Sequence, residues 1–260
     1  MAGAAVGRIP MLQRTVTACV LIIGNEILSG QTQDTNLAYL GEQLNKLGIR
    51  IREARVIPDD EDMIVTAVNQ ARRAFDYVFT TGGIGPTHDD ITAAAVAKAF
   101  GVPLILNAEA RAILEAAYPP GELNEARLRM ARTPEGASLV ENPISAAPGF
   151  QMENVFVMAG IPKVAQAMFE SLRHTLSGGA PLLSRAVVAE LPEGKMADGL
   201  AAVQAAYPDV EIGSYPFYRE GRYGARLVLR STEAGRLAAA GDEVESLVRS
   251  LGAEPRGDTG

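Results

Sequence analysis

The spacing of hydrophobic residues changes between two patterns along the first hundred positions. Val16–Ile23 is an unbroken apolar run rich in β-branched residues, which is typical of a strand buried on both faces. The segment 36–46 has leucines three and four residues apart, and Gly48 follows it, so it predicts an amphipathic helix that ends near this glycine. Ile49–Ile57 then predicts a second strand.

The same alternation continues to about residue 100. Either Asp59 or Asp60 can cap the next helix. The apolar face of that helix consists of Ile64, Val68, Ala71 and Phe75. Tyr77–Thr81 predicts a third strand, and another helix follows it. Three successive strand–helix units predict right-handed crossovers and a doubly wound, mostly parallel sheet of the α/β class. In such a sheet the binding crevice lies at the carboxyl ends of the strands.

The rest of the chain predicts further elements and a second domain. Residues 107–133 look helical apart from a proline- and glycine-containing break, and Val155–Met158 predicts a strand followed by a helix. The glycine-containing linker 177–181 predicts a boundary between this α/β domain, at 11–176, and a smaller α+β domain at 182–252. For the second domain we predict the order strand, helix, strand, strand, helix.

Composition narrows the functional class. The 260 residues include 24 Lys and Arg against 31 Asp and Glu, a net charge of −7, so no excess of cations favours nucleic acid. The single cysteine, Cys19, excludes an internal disulfide and a cysteine-based zinc site, and its apolar neighbours predict a buried, inert thiol. No apolar stretch is long enough to span a membrane or resembles a signal peptide, so we expect a cytoplasmic protein without a membrane partner.

The third predicted strand leads into a glycine-rich loop that favours a phosphate. The glycines of this loop are Gly82, Gly83 and Gly85. Because they lack side chains, the backbone can approach a ligand closely and adopt positive φ angles. The amides at the start of the next helix attract anions, and the hydroxyls of Thr87 and Thr92 add donors. Similar polar loops follow the first two strands, at 24–36 and 58–62.

Two carboxylates, Asp89 and Asp90, lie beside this expected anion site. Their repulsion of a phosphate predicts a divalent cation that bridges carboxylate and phosphate. The alternative interpretation is an ordinary tight turn in which an aspartate caps the helix. The loop lacks the lysine of a Walker A motif and the spacing of a Rossmann fingerprint.

The segment 80–92, TTGGIGPTHDDIT, resembles the signature of the molybdopterin-binding fold family. This family includes MogA, MoaB, competence/damage-inducible protein A (CinA) and the N-terminal domain of eukaryotic FAD synthase. The form with His88 is most similar to the CinA and FAD synthase branch. Further blocks similar to that branch occur in the same order at 24–36, 58–60, 142–150 and 159–163. The segment 182–251 resembles the second domain of CinA.

The resemblance implies a site, which we transfer by matching positions. Asp59, Asp89 and Asp90 are the expected catalytic and metal-binding carboxylates, His88 is a further metal-ligand candidate, and Glu26 is the candidate to orient water. The expected phosphate- or pterin-binding residues are Gly24, Asn36, Gly82, Gly83, Gly85, Pro86, Thr87 and Thr92. The alternatives are a surface carboxylate for Glu26 and a helix cap for Asn36. Lys163 departs from the pattern usual in CinA.

The resemblance also implies an activity. Members of this branch are linked to divalent-metal-dependent hydrolysis of the pyrophosphate in ADP-ribose- or FAD-like dinucleotides, so we expect a nucleotide pyrophosphatase that uses Mg, Mn or Co. One alternative is molybdopterin binding or adenylylation in molybdenum cofactor biosynthesis. Another is a non-catalytic regulator that binds a nucleotide. The expected ligand is in each case a phosphorylated small molecule.

Apolar residues outside the predicted sheet favour a homo-oligomer. The segment 101–118 has six large aliphatic residues, and 215–218 contains three aromatic residues. A single chain has difficulty covering both segments, and a twofold dimer is the most frequent closed assembly. We therefore expect a dimer, with a trimer as the alternative.

Overall fold

The computed structural model describes residues 15–219 and 221–257. The chain divides into two compact units, with the boundary between Gly179 and Ala180. This boundary lies within the linker 177–181. Residues 11–14, the predicted start of the first domain, lie outside the described residues. Within the described ranges, none of the helices has the length and apolar character needed to cross a bilayer.

The first unit contains eight strands and seven α-helices in its described part. Its first half consists of β1 (Val16–Ile23), α1 (Asn25–Leu28), α2 (Asn36–Lys46), β2 (Ile49–Ile57), α3 (Glu61–Ala74), β3 (Tyr77–Thr81) and α4 (Thr92–Phe100). Its second half consists of β4 (Leu104–Leu106), α5 (Ala108–Ala117), α6 (Glu125–Leu128), β5 (Arg132–Pro134), β6 (Ser138–Val140), β7 (Gly149–Met152), β8 (Val155–Met158) and α7 (Pro162–Leu172).

Six of these strands form one sheet in the order β2-β1-β3-β8-β7-β6. The first four in this order are parallel, whereas β7 is antiparallel to both of its neighbours. The predicted mostly parallel sheet is thus confirmed. The chain passes from β1 to β2 on one side and then to β3 on the other side of β1. Between β1 and β3 the strand order therefore reverses, which is where α/β sheets place their ligand crevice.

Helices cover both faces of this sheet. On one face, Ile64 and Val68 of α3 and Val96 of α4 pack with Leu21 of β1. On the other face, α2 and α7 pack on Val20 of β1 and on the other inward side chains of the sheet. Because neighbouring residues of a strand point to opposite faces, β1 is apolar at nearly every position. This explains the unbroken hydrophobic run in the sequence.

The region 107–133 differs from the helical prediction. It contains the two helices α5 and α6, a short 3-10 turn at Arg129–Ala131, and the start of β5. Strands β4 and β5 pair in a separate two-stranded ribbon. Each has only three residues, which is too short for a strand periodicity to be recognised in the sequence.

In its described residues, 180–219 and 221–257, the second unit is a four-stranded antiparallel sheet with two helices. Its elements are β9 (Leu183–Ala189), α8 (Glu193–Ala206), β10 (Glu211–Arg219), β11 (Arg222–Ser231), α9 (Ala234–Ser250) and β12 (Arg256–Gly257). The strand order is β10-β11-β9-β12. Met196 of α8 and Val244 of α9 pack on Leu227 and Leu229 of β11 in one core. The predicted element order is confirmed, with the two-residue strand β12 added.

Candidate functional site

The ends of β1, β3 and β8 meet at Gly82. The amide of Gly82 donates a hydrogen bond to the carbonyl oxygen of Met158, at 3.1 Å. Its φ angle is +107°, and a Cβ atom at this position would overlap the carbonyl oxygen of Ile23. A Cβ atom at Gly160 would lie 3.3 Å from the Cα atom of Gly82. Three backbone segments therefore approach each other at the switch point, and Gly82 is required for that approach.

Thr92, the first residue of α4, holds the glycine loop against this helix. Its amide donates to the carbonyl oxygen of Gly83 at 3.0 Å, and its buried hydroxyl donates to that of Gly82 at 3.0 Å. Gly83 has a φ angle of +68°, and a Cβ atom there would overlap the hydroxyl oxygen of Thr92. The Thr92 hydroxyl, predicted as a ligand donor, thus donates inside the protein and fixes the loop on the helix.

The outer part of the loop closes through one threonine and two aspartates. The amide of Thr87 donates to Oδ2 of Asp90 at 2.8 Å. The Thr87 hydroxyl oxygen lies 2.6 Å from Oδ1 of Asp89 and 2.5 Å from Oδ2 of Asp90, so its one proton serves one of them at a time. The hydrogen bond from Thr87 lowers the pKa of Asp89 below its ordinary value. Gly85 packs closely against this cluster, since a Cβ atom there would lie 2.7 Å from Oδ2 of Asp90.

His88 and Pro86 differ in how far they are exposed to solvent. The imidazole of His88 is 94% exposed, and its Nδ1 is 3.9 Å from Oδ1 of Asp89. It therefore extends into solvent beside a single carboxylate. Pro86 is half-buried and leads the chain into the exposed turn.

The loops after β1 and β2 are joined by an aspartate. Oδ2 of Asp59 accepts a hydrogen bond from the amide of Asn25 at 2.9 Å. The neighbouring Asp60 caps α3 by accepting from the amide of Met63, at 2.9 Å. Of the two candidates that the sequence left open, Asp60 is therefore the helix cap. Asp59 instead accepts from the first residue of the short helix α1, which carries Glu26.

Glu26 is exposed and folds back over Gly24. A Cβ atom at Gly24 would lie 2.5 Å from either carboxylate oxygen of Glu26. The glycine therefore leaves the space in which this carboxylate lies. Gly24 itself is buried, and its amide donates to the carbonyl oxygen of Ile57 at 3.1 Å.

Asn36 connects the first loop to the loop after β8. It is the first residue of α2 and only 4% exposed, and its Nδ2 donates to the carbonyl oxygen of Gly160 at 2.8 Å. Its Oδ1 is buried, with no hydrogen-bond partner among the described residues. Gly160 belongs to the block 159–163, but it is not among the site residues predicted from the sequence. The available signal was its position just after a predicted strand, which it shares with Gly24 and Gly82.

The metal site expected from Asp59, Asp89 and Asp90 does not form as a cluster. Asp59 contacts the amide of Asn25, whereas Asp89 and Asp90 contact Thr87. In residues 15–219 and 221–257, no three His, Cys, Asp or Glu side chains are grouped so that they could hold a metal ion. The residues present therefore do not fit a metal ion held by protein side chains alone.

The three loops at the crevice carry acidic side chains but no strongly basic ones. The loops 24–36, 58–62 and 82–92 contain no lysine or arginine. A phosphate at this edge would be held by amides of the glycine loop and by the start of α4. The fold and this crevice define an α/β protein with an acidic crevice at the switch point of its parallel sheet.

Comparisons with known proteins agree with this class. Residues 19–178 match the family described as probable molybdopterin binding domain, and residues 181–254 match the middle domain of FAD synthase. The chain belongs to this molybdopterin-binding family, and within it to the CinA type. It is 38% identical over 197 residues to a protein from Archaeoglobus fulgidus, covering 76% of this chain and 84% of that protein.

Two further comparisons are with a probable FAD synthase and with a solved CinA structure. The probable FAD synthase of Caenorhabditis elegans is 31% identical over 273 residues, which cover 95% of this chain but only 51% of that protein. The crystal structure of CinA from Thermoplasma acidophilum superposes with a TM-score of 0.58 at 35% identity, covering 61% of this chain and 96% of that one. This chain thus spans about half the length of the FAD synthase relative.

Proposed function

We propose that the crevice between β1 and β3 binds a phosphorylated small molecule and that the protein hydrolyses the pyrophosphate of an ADP-ribose- or FAD-like dinucleotide. One observation carries this proposal. The glycine backbone around Gly82 and the loops that bear carboxylates lie together at the switch point of the sheet. Similarity to a probable FAD synthase along 95% of the chain favours a dinucleotide.

Binding of the pyrophosphate would depend on the glycine loop. A Cβ atom at Gly83 or Gly85 would overlap Thr92 or Asp90, so these glycines allow the close packing of the loop, and Thr92 holds the loop against the start of α4. The positive end of this nine-residue helix favours an anion by roughly 0.3–1 kcal/mol at an exposed position. Because the three loops lack lysine and arginine, this backbone contribution is the main attraction that they offer.

Hydrolysis would add one water molecule across the pyrophosphate. The water oxygen forms a bond to one phosphorus atom, the bond from that phosphorus to the bridging oxygen breaks, and two monophosphates leave. Glu26 is the carboxylate best placed to orient the water and accept its proton, because it is exposed beside the end of β1. The amides of the glycine loop would stabilise the charge that develops on the phosphoryl oxygens.

The proposal includes a requirement for a divalent cation, which would bind together with the phosphorylated ligand. Because no three protein ligands are grouped among the described residues, such a cation would take further oxygens from the phosphates. Magnesium commonly binds in this way, through one or two carboxylates and the phosphates of a substrate. Asp89 and Asp90 are the adjacent carboxylates that would contribute.

The second candidate is binding of molybdopterin at the same loop. The match of residues 19–178 to the probable molybdopterin binding domain favours this candidate. The glycine loop would then hold the single phosphate of the pterin, and no hydrolysis would follow.

A substrate panel separates these candidates. The purified protein is incubated with ADP-ribose, FAD, coenzyme A and NAD, each with Mg, Mn or Co ions and with EDTA, and the products are separated by anion-exchange chromatography. Release of two monophosphates with repeated turnover supports the pyrophosphatase. Tight molybdopterin binding without hydrolysis would replace it with the pterin function, and nucleotide binding without either would indicate a regulator.

A further inference from the structure

A cavity of about 870 Å³ lies between helix α5 and the loop that follows β6. Ile113, Ala117 and Tyr118 form one wall, and the loop 142–148 forms most of the other. The volume lies in the range of about 300–1,000 Å³ that is typical of small-molecule pockets. The loop wall belongs to the block 142–150 that resembles the CinA branch, but no residue that lines this cavity has a role in the mechanism proposed above.

One buried side chain gives the loop wall a fixed shape. Asn142 is 5% exposed, and its Nδ2 donates to Oγ of Ser145 at 2.7 Å and to the carbonyl oxygen of Ala147 at 2.8 Å. Its Oδ1 accepts from the amides of Ile144 and Ser145. Ala146 is held at a φ angle of +62°, which a residue with a Cβ adopts only when its surroundings enforce it. The wall is therefore formed before any ligand binds.

The cavity opens at the same edge of the sheet as the glycine loop. β6 is antiparallel to β7, and β7 is antiparallel to β8, so β6 ends at the carboxyl edge where β3 and β8 end. Three strand spacings separate β6 from β3, which amounts to about 14 Å at 4.8 Å for each spacing. An extended nucleoside diphosphate can bridge such a separation.

The chemistry of the lining differs from that of the glycine loop. Ile113, Leu139 and Ile144 give apolar contact surface, and the carboxylates of Glu109 and Glu141 also line the cavity. Carboxylates repel a second phosphate but accept hydrogen bonds from ring N–H groups and exocyclic amino groups. Apolar walls with a few acceptors therefore suit a flat, nitrogen-containing aromatic ring.

We propose that this cavity binds the heteroaromatic ring of one half of the dinucleotide while its pyrophosphate lies on the glycine loop. This inference rests on the proposed function and specifies its substrate class. It requires a ligand with a ring at one end and a pyrophosphate about three strands away. Ile144, whose side chain is 61% exposed at the loop wall, would pack against the ring.

Calorimetry with three ligands tests this assignment. The full-length protein is titrated with ADP-ribose, FAD and inorganic pyrophosphate, before and after Ile144→Asp. The added carboxylate should weaken binding of at least one dinucleotide tenfold or more and leave pyrophosphate binding unchanged. Glu141→Gln should weaken the same dinucleotide by a smaller factor. Leu251→Asp, at a partly exposed leucine of the second unit, is the matched control and should change nothing.

The outcomes separate this inference from the proposed function. Equal loss of ADP-ribose and FAD affinity supports adenine in the cavity, and loss of FAD affinity alone supports the flavin ring. If Ile144→Asp leaves both affinities unchanged while Gly83→Val abolishes them, the cavity assignment is wrong and the proposed site stands. If Gly83→Val also leaves them unchanged, the proposed function fails. A change in oligomer mass on Ile144→Asp, measured by light scattering, would overturn the assignment and make the cavity a subunit contact.

Discussion

Asp59 accepts a hydrogen bond from the backbone amide of Asn25, at 2.9 Å, although the two residues are 34 positions apart in the chain. The contact joins the loop after β2 to the loop after β1 on one side of the switch point. Asp60, the next residue, caps α3 by accepting from the amide of Met63. Two adjacent aspartates therefore have separate structural roles, which allows a matched comparison.

Replacing Asp59 should affect activity more than replacing Asp60. Asp59→Ala removes the acceptor that holds the start of helix α1, which carries Glu26, so we expect at least a tenfold loss of dinucleotide turnover. Asp60→Ala removes a helix cap and should lower the free energy of unfolding by roughly 0.5–2 kcal/mol with turnover nearly unchanged. Urea denaturation and steady-state kinetics on both variants provide the measurements. Equal turnover of the two variants would contradict a role for Asp59 in the site.

Gly83→Val should abolish binding of phosphorylated ligands. The valine would be strained at a φ angle of +68° and would also displace the Thr92 hydroxyl, so the loop would leave the start of α4. Gly101→Val is the matched control, because Gly101 has a φ angle of +69° and a Cβ atom there would have no neighbour within 4 Å. Both variants should lose roughly 1–3 kcal/mol from strain. Only Gly83→Val should lose affinity in calorimetry, and unchanged affinity would make the loop an ordinary turn.

The strands of the parallel core can be predicted from the sequence, because the pattern that indicates each strand lies within that strand. The bounds of β1, β2, β3 and β8 are those read from the sequence, since β1, β3 and β8 are apolar or β-branched runs and β2 places charged residues between apolar ones. The ribbon β4–β5 and the hairpin β6–β7 were not predicted. Their strands have only three or four residues, and the pairing of β4 with β5 also joins segments that are distant in sequence.

The candidate site could be predicted only in part, because some of its contacts join residues that are distant in sequence. The glycines, Thr87 and the two adjacent aspartates lie in one short segment, so their proximity follows from the sequence. The bond from Asn36 to Gly160 spans 124 positions and depends on the packing of the whole sheet. The separation of Asp59 from Asp89 and Asp90 was likewise not predictable, because it depends on which amide each carboxylate accepts from.

Asp90→Asn should reduce turnover by at least two orders of magnitude. The amide oxygen of asparagine can still accept from Thr87, so the loop should keep its shape while the charge is lost. If that charge helps to hold a cation on the phosphates, EDTA should abolish the activity of the unaltered protein as well. Asp198→Asn, at an exposed position of α8, serves as the charge-matched control. Full activity of folded Asp90→Asn, or of the unaltered protein in EDTA, would remove the cation from the proposal.

Light scattering after size exclusion should give a mass near twice the 27.5 kDa of one chain. Within the apolar segment 101–118, Ala110 and Leu114 are buried in a small cluster, whereas Leu106 is 46% exposed. Tyr215 and Tyr218 of the second unit are exposed as well. Leu106→Asp should shift the equilibrium toward the single chain if this residue lies in the contact. A mass near 27.5 kDa at micromolar concentration would contradict the expected dimer.

The carboxyl group of Asp89 should titrate below the ordinary range of aspartate. The hydrogen bond from the Thr87 hydroxyl favours the ionised form, and the charge of His88 adds a smaller effect, so the pKa is lowered. The contribution of Asp89 to folding is therefore present above the ordinary aspartate pKa and is lost as the pH falls through the lowered value. Thr87→Val should raise the pKa of Asp89, and Thr87→Ser should preserve it, because serine retains the hydroxyl. Carbon-13 carboxyl shifts recorded against pH measure both variants, and an unchanged Asp89 pKa in Thr87→Val would show that another donor holds this carboxylate.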